Sequence, residues 1–240
     1  MINLFKLLFF IIALISQPIF AIKLPVGLTK TELKTLIETL AFGNVTRVMR
    51  SAEAYPIFPG VKISFETTLV HSGNLNDLGN GSASFPIVIP SPRLNITKGL
   101  GMGLETAINL SSQEVLQTMA TLGFLGKWTY LEERDSFATS AVFINYTRLN
   151  GFNDSFSGDE FEIGVMASKD FVRLKPYIGL GLLFATATVS KTVSPLEQSG
   201  SSLAPHLLIG TEIELPMNIA FQIDFTQQVP SGSFSLGYRF

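Results

Sequence analysis

The sequence predicts an all-β protein in which about ten antiparallel strands close into an up-and-down barrel, preceded by one short amphipathic helix. Three observations support this fold class. Apolar and polar residues alternate with a period of two along most of the chain after residue 59, as in strands with one apolar face. Stretches rich in Gly, Asn, Asp and Ser separate these segments, and no helical pattern lies between them.

The N-terminal residues have the pattern of a secretory leader. Residues 1–21 combine Lys6, an apolar run and a small residue at Ala21, which predicts a signal peptide cleaved after Ala21. The apolar run is too short to cross a bilayer as a helix, which needs about 20 residues. The chain has no cysteine, which excludes a disulfide framework, a thiol nucleophile and a lipid-modified N-terminal cysteine.

Residues 22–58 form a segment between the leader and the barrel, which is assigned to residues 59–240. Thr29 and Glu32 form a capping box at the start of a helix that ends near Gly43. This helix is interpreted as a plug inside the barrel, as a helix on the inner leaflet surface, or as a periplasmic helix packed under the barrel. The periplasmic interpretation is favoured, because an apolar helix stripe suits a polar lumen poorly.

The strands and their connections follow from the alternation. The predicted strands cover approximately residues 61–71, 86–98, 101–110, 116–130, 138–148, 160–168, 174–188, 203–215, 218–227 and 233–240. The odd connections include the long polar stretches 72–85, 149–159 and 189–202, whereas several even connections are short, such as Lys98-Gly99. Long loops on one side and tight turns on the other are typical of barrels in the outer membrane, with the long loops outside the cell.

Alternation alone also fits a water-soluble barrel with an apolar interior, so the direction of the apolar face must be decided. The apolar faces carry almost no charge, and glycines concentrate on the polar faces, where a concave side is crowded. Aromatic residues fall near strand ends, as in the two aromatic girdles of a membrane barrel. The predicted girdle residues are Trp128, Tyr130, Tyr146, Phe161 and Phe225. The apolar face is therefore expected to contact lipid, and the barrel is expected to be transmembrane.

The last strand carries a family resemblance. Phe234, Leu236, Tyr238 and Phe240 alternate with small or polar residues and end the chain on an aromatic. This pattern resembles bacterial outer-membrane β-barrel proteins, in which the terminal strand ends in Phe or Trp. The resemblance implies residence in the outer membrane and an assembly signal in these four residues, which the barrel-assembly machinery reads by strand addition.

The polar faces define a set of inward residues with mixed charges. They are Lys62, Glu66, Arg93, Glu105, Lys127, Glu162, Lys175, Glu212, Asp224 and Arg239. A salt-bridge network that fills the barrel is favoured over a narrow polar or ion pathway, because a barrel of eight strands has room only for side chains. The sequence therefore predicts a small outer-membrane barrel with a structural or narrow-channel role.

An outer-membrane lipid-modifying enzyme, either an acyl hydrolase or an acyl transferase, is the alternative function. Its candidate catalytic residues are His71, Ser72 and His206, expected near the extracellular rim. A non-enzymatic role is favoured, because no local motif around them reproduces such a site. No metal or other cofactor is predicted, since His and carboxylate residues do not cluster at ligand spacing. A net charge of −2 argues against nucleic acid as a partner.

Overall fold

The computed structural model describes residues 22–111, 119–133, 136–152, 154–190, 198–226 and 230–240. The predicted signal peptide, residues 1–21, lies outside the described residues. Ten antiparallel strands form one closed barrel, in which each strand pairs with its neighbours in sequence and β1 pairs with β10. The strands are β1 Val61–His71, β2 Val88–Gly101, β3 Leu104–Ser111, β4 Met119–Leu131, β5 Thr139–Gly151, β6 Phe156–Ser168, β7 Leu174–Val189, β8 Gln198–Ile213, β9 Asn218–Phe225 and β10 Pro230–Arg239. The predicted fold class is confirmed.

One α-helix, α1, spans Lys30–Asn44, and a short 3-10 helix spans Gly73–Asp77 in the connection after β1. The predicted capping box of α1 is present: Thr29 N–H donates to Glu32 Oε2 at 2.8 Å, and Thr29 Oγ1 accepts from Glu32 N–H at 3.3 Å. Neither helix in the described part of the chain is long and apolar enough to cross a membrane.

The two ends of the barrel differ. The loop end carries the connections after β1, β3, β5, β7 and β9, and the turn end carries those after β2, β4, β6 and β8 together with the C-terminus. The longest described connection, residues 72–87, lies at the loop end, and the shortest, Met102-Gly103, lies at the turn end.

Three predicted connections lie elsewhere or are shorter than expected, and one of them is 189–202, because β8 already begins at Gln198. The turn between β2 and β3 is at Met102-Gly103 rather than at Lys98-Gly99, because β2 continues to Gly101 with a register shift against β3. The predicted loop 149–159 shrinks to residues 152–155. Leu149 and Phe156, which were expected in that loop, are inward-facing strand residues that pack in the interior.

The outer face of the barrel is apolar, as predicted. Large hydrophobic side chains project outward from all ten strands. The five predicted girdle residues are exposed on this face, and the rings of Trp128 and Tyr130 pack with their centroids 6.2 Å apart. Because a water-facing exterior would not expose so much apolar surface, this face is suited to lipid.

The helix α1 lies inside the barrel, which corrects the interpretation of residues 22–58 as a periplasmic segment packed beneath it. Residues from Leu36 to Asn44 are buried, and α1 contacts the inner faces of β1, β6, β7 and β8. Before the helix, Lys23 pairs with Ser84 at the loop end. The chain then crosses the lumen and leaves it at the turn end, where Gly60 precedes β1. Residues 22–60 therefore thread the barrel from one end to the other.

Candidate functional site

The lumen has two parts, and α1 fills the part at the loop end. Leu36, Ile37, Leu40 and Phe42 are almost completely buried. They belong to one hydrophobic cluster with inward-facing wall residues and with the folded-in loops. The wall and loop members include Leu75, Phe85, Met119, Leu149, Phe156, Leu183, Ala185, Ala187, Val189 and Ala204. The apolar stripe of the amphipathic helix therefore has an apolar partner on the inner wall.

Two arginines cap the C-terminal end of α1. Arg93 Nη1, from the wall, donates to the carbonyl oxygens of Asn44 and Val45 at 3.1 and 2.8 Å. Arg47 Nη2 donates to the carbonyl oxygens of Phe42 and Gly43 at 3.1 and 3.2 Å. Cations at this position satisfy otherwise unpaired carbonyls and oppose the negative end of the helix dipole. The arginines thus fix where the helix ends inside the lumen.

The segment from Val45 to Tyr55, called the strap, crosses the part of the lumen at the turn end without regular secondary structure. Wall side chains hydrogen-bond its main chain. Thr46 N–H donates to Thr147 Oγ1 at 2.9 Å, and Asn145 Nδ2 donates to the Thr46 carbonyl at 3.0 Å. A glycine wall residue makes room for this approach, since a Cβ at Gly123 would lie 1.8 Å from Thr46 Oγ1.

The same kind of contact recurs further along the strap. Ser51 N–H donates to Glu212 Oε2 at 3.1 Å, and Lys127 Nζ donates to the Ser51 carbonyl at 2.7 Å. Ala52 N–H donates to Ser168 Oγ at 3.0 Å. The wall thus supplies the partners that the main chain of an irregular buried segment requires.

Ion pairs join the side chains of the strap to the wall. Arg47 Nη1 lies 3.1 Å from Asp224 Oδ1, and Arg50 pairs with Glu105. The guanidinium carbon of Arg50 also lies 3.4 Å from the centroid of the Tyr55 ring. Both arginines are buried, so each is held by a charged partner rather than by water, as buried charges require.

Beside these pairs, Val48 and Ala52 of the strap pack in a second apolar cluster with Leu125, Phe143 and other inward residues. The part of the lumen around the strap therefore combines apolar and polar contacts. Apolar contacts hold one side of the strap, and hydrogen bonds and ion pairs hold the other.

His206 is the centre of a buried polar cluster in the wall. Its Nε2 lies 2.9 Å from Asp224 Oδ1, and its Nδ1 is hydrogen-bonded to Glu162. Asn145 Nδ2 donates to Glu162 Oε2 at 2.7 Å, and Arg47 of the strap pairs with the same Asp224. The imidazole is thus held at both ring nitrogens by carboxylates, and the arginine of the strap supplies the compensating charge.

The predicted lumen-lining residues face inward, and nine of them are buried. The exception is Arg239, whose side chain is exposed at the turn end and lies 3.6 Å from Glu214. Lys175 pairs with Glu53, at the end of the strap, at 2.6 Å, and Lys127 lies 3.6 Å from Glu105. Several of the predicted charges therefore pair with the strap rather than only across the wall.

The three candidate catalytic residues have separate surroundings. His71 is exposed at the end of β1 on the outward face, and the hydroxyl of Ser72 donates to the Pro86 carbonyl at 2.6 Å. His206 lies in the middle of β8, paired with Gly181, rather than at the rim. Its described hydrogen-bond partners are Glu162, Asp224 and Arg47, and none of these is a serine hydroxyl.

Arg47, Arg50 and Phe42 are the most prominent lumen residues that sequence reasoning missed, because they lie before the barrel. The sequence of the barrel wall nevertheless contained a sign that a segment fills the lumen. Leu183, Ala185, Ala187 and Val189 occupy inward positions of β7 yet are apolar, and an apolar patch inside a membrane barrel needs a cover. No group of metal-binding side chains occurs among the described residues.

No protein-family model and no curated protein sequence matches the chain. Several solved barrels are similar to it. The N-terminal β-barrel domain of Pseudomonas aeruginosa OprF is 11% identical, with 75% of this chain and 97% of that chain covered and a TM-score of 0.37. The KdgM porin is 7% identical over 75% of this chain and 99% of that chain, with a TM-score of 0.39. The translocator domain of the autotransporter NalP from Neisseria meningitidis is 10% identical over 88% and 95%, with a TM-score of 0.43.

Proposed function

We propose that the protein is a small barrel of the bacterial outer membrane that closes its own lumen with residues 30–55 and has a structural role in that state. The observation that carries the proposal is the threading of α1 and the strap through the barrel. The helix occupies the loop end, and the strap bonds to the wall along the rest of the path. A continuous polar pathway, the channel role predicted from the sequence, requires this segment to leave.

The apolar outer face supports the location in a membrane. Strands that cross a bilayer must satisfy every backbone group internally, and a closed barrel does so without free edges. This barrel is closed by the pairing of β1 with β10, from Lys62↔Arg239 to Val70↔Ser231. In the proposed orientation the loop end faces outward from the cell and the turn end faces the periplasm.

The assembly signal remains part of the proposal. Phe234, Leu236 and Tyr238 lie on the outward face of β10, and Phe240 follows the strand, with its ring packed edge to face on that of Tyr238 at 4.9 Å. These side chains are accessible on the lipid side. Recognition by barrel-assembly machinery would therefore not disturb the lumen.

The lipid-modifying enzyme is not proposed. Nucleophilic catalysis needs a hydroxyl within hydrogen-bond reach of its base. The Ser72 hydroxyl donates its hydrogen bond to the Pro86 carbonyl, the His206 ring is hydrogen-bonded to Glu162 and Asp224, and His71 faces outward.

Conductance in planar bilayers tests the closed lumen. We expect the protein without its leader to give no steady ion current, and a variant that lacks residues 30–55 to conduct. The exposed helix residue Lys30 offers a matched control, since Lys30→Ala leaves the buried contacts intact and should stay closed. A steady current through the leaderless protein that retains residues 30–55 would contradict the proposal, as would a deletion variant that folds but does not conduct.

A further inference from the structure

A lysine, a glutamate and an asparagine meet in the buried wall at the turn end, near the seam where β1 pairs with β10. Lys62 lies on β1, Glu212 on β8 and Asn218 on β9, and all three are buried. Lys62 Nζ lies 3.9 Å from Glu212 Oε1, and Asn218 Nδ2 donates to the same oxygen atom at 3.1 Å. An amine and a side-chain amide therefore approach each other at one carboxylate oxygen.

A glycine allows the lysine to reach across the strand that separates it from the asparagine. Gly237 of β10 pairs with Ser64 on β1 and with Asn218 on β9. A Cβ at Gly237 would lie 2.7 Å from Lys62 Cε, so the lysine side chain passes directly over this backbone. Because neighbouring strands are about 4.8 Å apart, a side chain that passes over Gly237 and ends beside Glu212 brings Nζ close to Asn218.

The two other buried lysines of the wall are used differently. Lys127 Nζ donates to the carbonyl oxygens of Ser51 and Glu53 at 2.7 and 2.9 Å, and Lys175 Nζ lies 2.6 Å from the Glu53 carboxylate. Both therefore hold the strap. The ion pair of Lys62 is with the wall, and its length of 3.9 Å exceeds that of a hydrogen bond. The strap thus does not fix the Lys62 amine, and its flexible four-carbon stem can move it.

We propose that Lys62 and Asn218 form an intramolecular isopeptide bond and that Glu212 transfers the proton. The uncharged amine, a form that burial away from water favours, attacks Cγ of Asn218. A bond forms between Nζ and Cγ, and the bond between Cγ and Nδ2 breaks. Glu212 Oε1, which lies beside both nitrogen atoms, accepts a proton from Nζ and delivers it to Nδ2, which leaves as ammonia. Atoms and charges balance without a further reactant.

The bond joins β1 to β9 across β10 and fixes the seam that closes the barrel. Residues 62 and 218 lie far apart in the chain, so the cross-link closes a long loop. Cross-links that close long loops restrict the unfolded chain most. None of the three groups belongs to α1 or to the strap, so absence of the bond would leave the proposed function unchanged.

The mass of the folded protein tests the isopeptide bond. The leaderless protein refolded in detergent micelles is compared with the same protein kept unfolded in urea. We expect only the folded sample to lose the mass of one ammonia, and its tryptic digest to contain a branched peptide that joins the Lys62 segment to the Asn218 segment. A folded protein of unchanged mass would overturn the proposal. Loss of ammonia without the branched peptide, as from a succinimide at Asn80-Gly81, would overturn it as well.

Variants of the three residues test their separate roles. Lys62→Arg and Asn218→Ala each remove a reacting group, and both should keep the full mass when circular dichroism shows that they are folded. Glu212→Gln cannot accept the proton and should slow bond formation about a hundredfold. The matched control is Asn95→Ala, which removes another buried wall amide, bonded to Asn109, and should lose ammonia as the wild type does. A branched peptide formed at the wild-type rate in Glu212→Gln would overturn the assigned proton transfer.

Discussion

The two parts of the lumen hold the same continuous segment by different means. Around α1 most contacts are apolar, and the helix buries one face against leucine, alanine and phenylalanine side chains; its buried Glu38 accepts from the Ser202 hydroxyl at 2.6 Å. Around the strap, buried arginines and main-chain groups bond to charged and polar wall residues, with a smaller apolar cluster on one side. The comparison teaches that apolar burial stabilises the docked segment, whereas the polar contacts determine its position. Apolar burial is favourable in any register, but an unpaired buried charge is costly.

The largest effect is expected at the arginine that joins the two parts. Arg47→Met removes the guanidinium that Asp224 binds beside the His206 imidazole, and breaking a buried ion pair costs about 3–5 kcal/mol. The measurement is the free energy of unfolding in micelles. The double variant Arg47→Met with Asp224→Asn should recover part of the loss, because the amide oxygen still accepts from His206 and Gln222 but carries no unpaired charge. A double variant as unstable as the single one would show that the pair is not the source.

A somewhat smaller loss is expected in the apolar part. Leu40 is fully buried in the cluster around α1, and Leu40→Ala removes packing worth about 2–5 kcal/mol. Protease cleavage within residues 30–55 of the folded barrel reports whether the helix has left the lumen, and Lys30→Ala is the control. If cleavage rises equally in both variants, the apolar contacts do not hold the helix.

The close approach of the strap to the wall offers a steric test. Gly123→Ala places a Cβ against Thr46 Oγ1, which must move, and overpacking of this kind costs about 1–3 kcal/mol. Gly126→Ala on the same strand is the control, since a Cβ there meets nothing within 4 Å. Similar unfolding free energies for the two variants would count against a tight fit of the strap.

The smallest effect is expected at the start of α1. Thr29→Ala removes the helix cap, which costs about 1 kcal/mol, and circular dichroism during thermal unfolding should detect it.

The Glu32 carboxylate accepts from the amides of Thr29 and Gly79, and these hydrogen bonds lower its pKa below the ordinary value of 4.5. The stability that the ionised Glu32 carboxylate contributes through these hydrogen bonds is thus present at neutral pH, and it is lost as the pH falls through this lowered pKa. Glu32→Gln should reduce the loss of stability in acid. An unchanged dependence of stability on pH would exclude the Glu32 carboxylate as its cause.

Much of the barrel was predictable from local pattern. The range predicted for β1 matches the structure, and those for β7 and β9 differ from it by one or two residues. The alternation also identified nine of the buried inward charges. The turn after β2 was misplaced, since Lys98-Gly99 resembles a turn but β2 continues through a register shift to Gly101.

The position of the helix was not predictable in the same way. The amphipathic pattern of residues 30–44 was correct, but the polar character of the lumen was assumed to hold along its whole length. The inward positions from Leu183 to Val189 contradict this assumption. Similarly, the prediction placed His206 at the rim because it started β8 at residue 203. In the structure β8 begins five residues earlier, at Gln198, which moves His206 to the middle of the strand.

The sequence by itself determined the strands, the outward direction of their apolar faces and the capped helix, because each depends on side chains a few residues apart. Only the tertiary structure decided that the helix and strap fill the barrel and that Arg47 meets Asp224 and His206. The physical reason is that these partners lie more than a hundred residues apart in the chain. Their approach follows from closure of the barrel around the segment, which no local pattern encodes.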